Sequence, residues 1–146
     1  MKKDVTINIR GTYNFEDDEA DVVELFTTGE FCRKNGSYYI SYDESEVTGF
    51  SGARTTLKVE DQRCVTMSRK GKGVGKDNMT QLIVQNGVRH QCQYDIGFGD
   101  MMIGVSGRSI HSSLNDRGGR LEFKYSLDIN SLFASDNEML IIVRED

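Results

Sequence analysis

Three side chains capable of chemistry recur at every second position of one short segment. His90, Cys92 and Tyr94 alternate there with charged and amide residues, and the two-residue period of a β-strand places alternate residues on one face. An imidazole, a thiol and a phenol therefore share a face. If that face points into a closed sheet, these groups would line an internal cavity.

The spacing of the reactive residues indicates neither catalysis nor a metal site. The two histidines, His90 and His111, belong to separate predicted strands, so a zinc site would have to recruit Cys92 or carboxylates from across a sheet. Ser51 and Ser106 fall short of the Gly-x-Ser-x-Gly nucleophile elbow, and neither leads into a helix. The basic, glycine-rich segment 69–76 lacks the Gly-Lys-Ser/Thr ending of a phosphate-binding loop. We therefore expect no enzymatic activity and predict no metal and no cofactor.

Two further residues extend the predicted binding surface. Arg69 shares the face of the apolar residues in its strand and would supply a counter-charge to an acidic ligand, because arginine pairs carboxylates in a bidentate way. Arg120 or Lys124 would do the same if their face were the inner one. Tyr125 lies on the apolar face of the most regular predicted strand, 120–129. We predict a small, partly apolar or anionic ligand, and the candidate ligand-binding residues are His90, Cys92, Tyr94, Arg69 and Tyr125.

A filled interior is the alternative. In that case His90 and Tyr94 are hydrogen-bonded core or rim residues, and the protein is a structural or interaction module that contacts a protein partner through exposed strands and loops. An open cavity of useful size separates the two hypotheses, because a barrel packed at native density has no room for a ligand.

The strands that position these residues are predicted to be joined by hairpins. Asn35-Gly36 and Asn86-Gly87 are typical of type I′ turns, and the glycines of segment 96–99 offer another reversal. A bulge is expected at Thr28-Gly29 and a single helical turn within 130–137. We count ten or eleven short strands and no helical period. The pattern predicts one domain over residues 1–146, an all-β antiparallel up-and-down β-barrel, because closure removes exposed sheet edges. A β-sandwich is the nearest competitor.

Composition limits the partners and the location of the protein. The chain has 146 residues and a net charge of −5, which argues against nucleic acid because such binding depends on neutralising phosphates. No apolar run approaches the ~18 residues needed to cross a bilayer, and the first residues lead into Asp4 rather than into a signal-peptide core. The three cysteines are odd in number and far apart, which favours neither a disulfide framework nor a zinc site. We expect a cytoplasmic protein that binds neither nucleic acid nor membranes, and nothing in the sequence indicates a homo-oligomer.

Several segments, taken in their order and spacing over nearly the whole chain, resemble the YwiB-like proteins of low-GC Gram-positive bacteria. They are Thr27-Thr28-Gly29, Tyr38-Tyr39-Ile40-Ser41-Tyr42, Thr56-Leu57-Lys58-Val59, Val65-Thr66-Met67-Ser68-Arg69-Lys70-Gly71 and Gly119-Arg120-Leu121-Glu122-Phe123-Lys124-Tyr125-Ser126-Leu127. The resemblance implies a calycin-like β-barrel, similar in architecture to lipocalins and fatty-acid-binding proteins, and it brings no catalytic residues. The chain departs from true lipocalins because it has no tryptophan and so lacks their opening Gly-x-Trp element.

Overall fold

Ten strands make up the ordered framework of the protein. The structure, a computed structural model, describes residues 2–15, 19–44, 52–71, 79–95 and 100–146. Within these ranges there is no helix long and apolar enough to span a membrane. The strands are β1 (Lys3–Phe15), β2 (Asp21–Lys34), β3 (Ser37–Asp43), β4 (Arg54–Glu60), β5 (Cys64–Lys70), β6 (Met79–Gln85), β7 (Arg89–Asp95), β8 (Asp100–Asn115), β9 (Gly118–Ile129) and β10 (Leu132–Glu145).

The strands form one antiparallel sheet that curls into a nearly closed barrel. Its order is β6-β5-β4-β3-β2-β1-β10-β9-β8-β7, with β1 paired to β10. The two edge strands, β6 and β7, lie side by side and share the isolated bridge between Gln85 and Val88. We call this junction the seam. The predicted up-and-down barrel is confirmed, and the competing β-sandwich is wrong because a single sheet meets itself at the seam.

Turn geometry explains where the seam falls. Asn35 and Gly36 both have positive φ, 53° and 83°, as the predicted type I′ turn requires. Between β6 and β7, Gly87 has a φ of 77° but Asn86 is not in the positive region, so the type I′ prediction is wrong there and the turn has the pattern of type II. Unprimed turns splay the strands that they join, and beyond the bridge between Gln85 and Val88, β6 and β7 form no hydrogen-bonded ladder with each other in the described ranges.

Two other local predictions are wrong. β1 and β2 stay in register through Val5 and Gly29, so there is no bulge at Gly29; a side chain there would overlap the carbonyl oxygen of Ser41. The expected helical turn within 130–137 is replaced by a tight turn in which Asn130 and Ser131 have φ values of 53° and 68°. β10 therefore begins at Leu132, inside the segment in which a helical turn was expected.

The direction of the strands defines the two ends of the barrel. In an antiparallel meander the last residues of the odd-numbered strands and the first residues of the even-numbered strands lie at one end, which we call the upper end. The connections between β1 and β2, β3 and β4, β5 and β6, and β7 and β8 belong to it. Their segments 16–18, 45–51, 72–78 and 96–99 lie outside the described residues, including most of the glycine-rich basic segment and the reversal predicted at 96–99. Fully buried side chains fill the interior toward the opposite, lower end, among them Phe31, Ile7, Ile40, Leu57, Leu121 and Ile141.

Hydrogen bonds tie the lower end together across the seam. Gln62, in the turn between β4 and β5, donates from Nε2 to the carbonyl oxygen of Ser112 at 2.7 Å and accepts from the Ser112 amide at 2.7 Å. Gly107 exchanges two backbone hydrogen bonds of 3.1 Å with the turn between β6 and β7. A side chain at Gly107 would overlap the carbonyl of Gln85, so glycine allows β8 to pass this closely.

Candidate functional site

A cavity of about 260 Å³ lies inside the upper end of the barrel. Its wall is largely apolar and aromatic, with a few polar side chains. The lining residues are Ile9, Gly11, Tyr13, Phe15, Val23, Leu25, Tyr42, Glu44, Met67, Arg69, Leu82, Tyr125, Leu127, Ser135, Asn137 and Met139.

One wall of the cavity is a row of cross-strand neighbours with Asn137 at its centre. Asn137 of β10 is directly opposite Tyr13 of β1 and Tyr125 of β9, and directly opposite residues of an antiparallel pair share a face. Asn137 is 2% exposed, and its Oδ1 has no hydrogen-bond partner among the described residues. Nearly all buried polar atoms in proteins are paired, so this oxygen is an unusual feature of the cavity wall.

The Tyr13 ring is positioned by the glycine two residues before it. A Cβ atom at Gly11 would lie 2.8 Å from Tyr13 Oη, so the ring occupies space that any other residue would fill. From there Tyr13 Oη hydrogen-bonds Met139 Sδ at 3.8 Å. The phenol thus folds over β1 and faces the cavity.

The opposite wall carries a polar row on β3, β4, β5 and β6. Tyr42 is opposite Thr55, Thr55 is opposite Arg69, and Arg69 is opposite Thr80. Each lies on the inward face because it continues the alternation of apolar core residues in its strand. Glu44 follows Tyr42 by two residues and is anchored by a 2.8 Å bond from its amide to the carbonyl of Ala53.

A buried ion pair organises this polar row. The Glu44 side chain is 1% exposed and that of Arg69 is 18% exposed, and Arg69 Nη2 lies 3.4 Å from Glu44 Oε1. Thr55 Oγ1 donates to the same carboxylate oxygen at 2.6 Å and accepts from Arg69 Nε at 3.3 Å. Burial raises the pKa of the Tyr42 phenol, and the negative charge of Glu44, which accepts its hydrogen bond, raises it further. Tyr42 therefore stays protonated, and the charges of the cluster offset one another.

The four predicted site residues whose side chains the structure describes are divided among three locations. Arg69 and Tyr125 line the cavity. Cys92 is 4% exposed and belongs to the apolar core. His90 is half-buried beside the seam, where its Nε2 lies 2.7 Å from Gln85 Oε1; neither His90 nor Cys92 lines the cavity. Tyr94 is at the upper end of β7, but its side chain lies outside the described residues.

The condition set for the face of β7 is met at Cys92, whereas the condition set for Arg120 and Lys124 is not. Cys92 is buried while Gln91 and Gln93 on either side are exposed, so the face of Cys92 is the inner one. Arg120 and Lys124 are exposed on the outer face of β9 and cannot reach the interior.

The polar cavity residues that the sequence analysis missed include Asn137, Glu44 and Tyr13. Asn137 precedes Met139, Ile141 and Val143 at the same two-residue spacing, so extending that alternation backwards would have found it. The polar composition of 130–137 concealed this signal.

Within the described ranges, no three His, Cys, Asp or Glu side chains come together as a metal ion would require.

The fold and the cavity define an antiparallel up-and-down β-barrel protein. Its upper end holds an internal cavity whose largely apolar wall includes a few polar side chains. The chain belongs to the family described as Domain of unknown function (DUF1934), whose model matches residues 7–141. This confirms the resemblance inferred from the order of the strand motifs.

Two comparisons with individual proteins agree with this assignment. The chain is 28% identical over 130 residues to the uncharacterized beta-barrel protein YwiB of Bacillus subtilis (strain 168), covering 88% of this chain and 86% of that protein. The crystal structure of the ywiB protein from Bacillus subtilis superposes with a TM-score of 0.82 at 23% identity, covering 99% of this chain and 93% of the other. The structural likeness establishes the shared barrel fold.

Proposed function

We propose that the protein is a non-enzymatic, cytoplasmic barrel that binds a small, partly apolar molecule in the upper cavity. The observation that carries this proposal is a space of about 260 Å³ whose apolar and aromatic wall includes a few convergent polar groups, which is the composition of small-molecule sites. An apolar cavity of roughly 150 Å³ holds benzene. By the same measure this cavity has room for a ligand of roughly ten non-hydrogen atoms.

The state of Glu44 supports binding rather than catalysis. One oxygen of its carboxylate, Oε1, accepts hydrogen bonds from Thr55 and Arg69, so the protein itself already engages this group. A general base needs a geometry in which it reaches a substrate proton. The described lining of the cavity contains neither histidine nor cysteine.

The cysteines support a reducing compartment. Cys32, Cys64 and Cys92 are all free thiols, and two of them are buried. Disulfides persist mainly in oxidising compartments, and buried free thiols fit the cytoplasm.

A protein-contact role is the second candidate, because large apolar side chains are exposed at the upper end. Leu132 is 74% exposed and Phe133 is 47% exposed, at the start of β10. Exposed apolar groups that lie together can mark contact sites. This role does not require an occupied cavity, which makes the two candidates separable.

Native mass spectrometry of the protein purified from the organism that makes it tests the proposal. We expect a retained small molecule in the wild type, its loss in Leu127→Trp, which fills the cavity from its wall, and its retention in the matched control Leu132→Trp, which changes an exposed residue outside the wall. A wild-type mass equal to that of the bare chain would overturn the proposal in favour of the contact role. The same spectra report any oligomer.

A further inference from the structure

We infer that the cavity selects a neutral ligand that carries a hydrogen-bond donor and that this donor binds the side-chain carbonyl of Asn137. The inference deepens the proposed function and rests on it. Two independent observations carry it: the charges of the cavity wall already offset each other, and one buried acceptor in the wall has no partner among the described residues.

The first observation concerns charge. Glu44 and Arg69 are paired inside the barrel at 3.4 Å, with side chains 1% and 18% exposed. An anionic ligand bound to Arg69 would compete with Glu44, and a cationic ligand bound to Glu44 would compete with Arg69. Displacing either partner leaves a buried charge uncompensated, which is strongly unfavourable. The anionic ligand expected from Arg69 in the sequence is therefore disfavoured by a carboxylate that the sequence did not pair with it.

The second observation concerns Asn137. Its Oδ1 is buried without a partner in the part of the chain that the structure describes, and the residue lines the cavity between Tyr13 and Tyr125. A buried carbonyl without a hydrogen bond carries its full desolvation penalty. A ligand N–H or O–H that reaches this oxygen would remove that penalty, whereas a ligand without a donor would leave it in place.

The flanking side chains define the shape of the ligand. Tyr13, Tyr42, Tyr125 and Phe15 contribute aromatic rings to the wall, and aromatic side chains pack well against a flat apolar or aromatic group. A flat neutral amide of the size that the cavity holds meets all of these requirements. Benzamide is a convenient probe of this class.

Four compounds of nearly equal size and shape separate the two parts of the inference. Benzamide is neutral and has a donor, acetophenone is neutral and has none, benzoate is an anion, and benzamidine is a cation. Titration by calorimetry or ligand-observed NMR should be carried out on the wild type, on Asn137→Leu, and on the control Asn8→Leu, which makes the same change on the exposed outer face of β1.

We expect benzamide to bind the wild type about tenfold more tightly than acetophenone, the factor that one additional satisfied buried hydrogen bond of about 1.4 kcal/mol supplies. Benzoate and benzamidine should also bind more weakly than benzamide, because each charged group would compete with one partner of the pair formed by Glu44 and Arg69. Its advantage over acetophenone should disappear in Asn137→Leu and persist in Asn8→Leu. Equal binding of acetophenone and benzamide to the wild type would overturn the role of Asn137. Tighter binding of benzoate or benzamidine would overturn the neutral class.

Failure of this inference is distinguishable from failure of the proposed function. If none of the four compounds binds while native mass spectrometry shows a retained molecule, a flat neutral donor is the wrong ligand class and the proposed function stands. If no compound binds and no molecule is retained, both are wrong.

Discussion

The Glu44 carboxylate and the Arg69 guanidinium meet inside the barrel, 3.4 Å apart, and both are bonded to Thr55. The pair joins the end of β3 to β5 across β4. It places two opposite charges in the wall of a cavity that is otherwise largely apolar and aromatic. Several properties of the protein should depend on this relationship.

Breaking the pair from one side should be costly. Arg69→Met removes the cation and leaves the Glu44 carboxylate buried, so we expect the free energy of unfolding to fall by about 3 kcal/mol. Lys124→Met is the control, because Lys124 and Glu138 form a pair with side chains 48% and 50% exposed and such pairs contribute less than about 1 kcal/mol. Urea unfolding measures both. The double variant Glu44→Gln with Arg69→Met should recover most of the loss in the free energy of unfolding. Equal losses in Arg69→Met and Lys124→Met would contradict the prediction.

Removing the unpaired acceptor should stabilise the empty protein. Asn137→Leu replaces a buried amide, whose Oδ1 has no partner among the described residues, with an apolar side chain of similar size. We expect the free energy of unfolding of ligand-free protein to rise by about 1 kcal/mol. Asn8→Leu, on the outer face, should change it by less than about 0.5 kcal/mol. A loss of stability in Asn137→Leu would show that the amide is needed by the fold itself.

Alkaline pH should destabilise the barrel through Tyr42. Burial and then the charge of Glu44 raise the pKa of Tyr42 in the folded state. In the unfolded chain tyrosine has a pKa of about 10. Above about pH 10 the unfolded chain releases a proton that the folded protein retains, so the contribution is fully present below that pH and is lost as the pH rises. We expect wild-type stability, measured by urea unfolding from about pH 8 to about pH 11, to fall more steeply than that of Tyr42→Phe. Parallel curves would contradict this assignment.

The hydrogen bonds that tie the lower end together across the seam should depend on Gln62. Gln62→Ala removes both 2.7 Å hydrogen bonds to the backbone of Ser112, and we expect a loss of about 1–2 kcal/mol in the free energy of unfolding. The Ser112 amide should also exchange its hydrogen faster. Gln91→Ala, at an exposed position of β7, is the matched control. Unchanged hydrogen exchange at the Ser112 amide in Gln62→Ala would show that Gln62 does not hold this end of the barrel together.

Two glycines in β8 should respond differently to the same substitution. A Cβ atom at Gly107 would overlap the backbone of Gln85, whereas one at Gly104 would meet the ends of the Arg89 and Asp128 side chains. Backbone cannot move aside as easily as exposed side chains, so Gly107→Ala should cost about 1–3 kcal/mol and Gly104→Ala clearly less. Thermal unfolding of the two variants compares them, and a larger loss in Gly104→Ala would be inconsistent with the close passage of β8.

Gly104→Ala should also change the pKa of Asp128. Arg89 lies across β8 from Asp128 and bonds it at 2.7 and 2.9 Å, and the hydrogen bond from Arg89 lowers the pKa of Asp128. Displacing Arg89 should raise the pKa of Asp128 toward its ordinary value. NMR titration of the Asp128 carboxyl carbon measures the change.

The barrel itself could be predicted from the sequence because its causes are local. Alternation of apolar residues indicated the strands, and turn residues such as Asn35 and Gly36 indicated the hairpins. The inward face of Arg69 and Tyr125 followed from the same alternation, which depends on the covalent geometry of each strand alone. The failures at Gly29 and at Asn86 have one origin, because a glycine or an Asn-Gly pair serves several backbone roles and the neighbouring strand determines which one is used.

The sequence by itself therefore determined the class of fold, the strand pattern and the inward face of Arg69 and Tyr125, which line the cavity. Tertiary structure alone decided that Glu44 faces Arg69, that Asn137 stands between Tyr13 and Tyr125, and that His90 lies beside the seam rather than at the cavity. These relationships join residues far apart in the chain, and they depend on the register and curvature of the sheet. Register and curvature arise when the barrel closes, and the two-residue period of a single strand does not predict them.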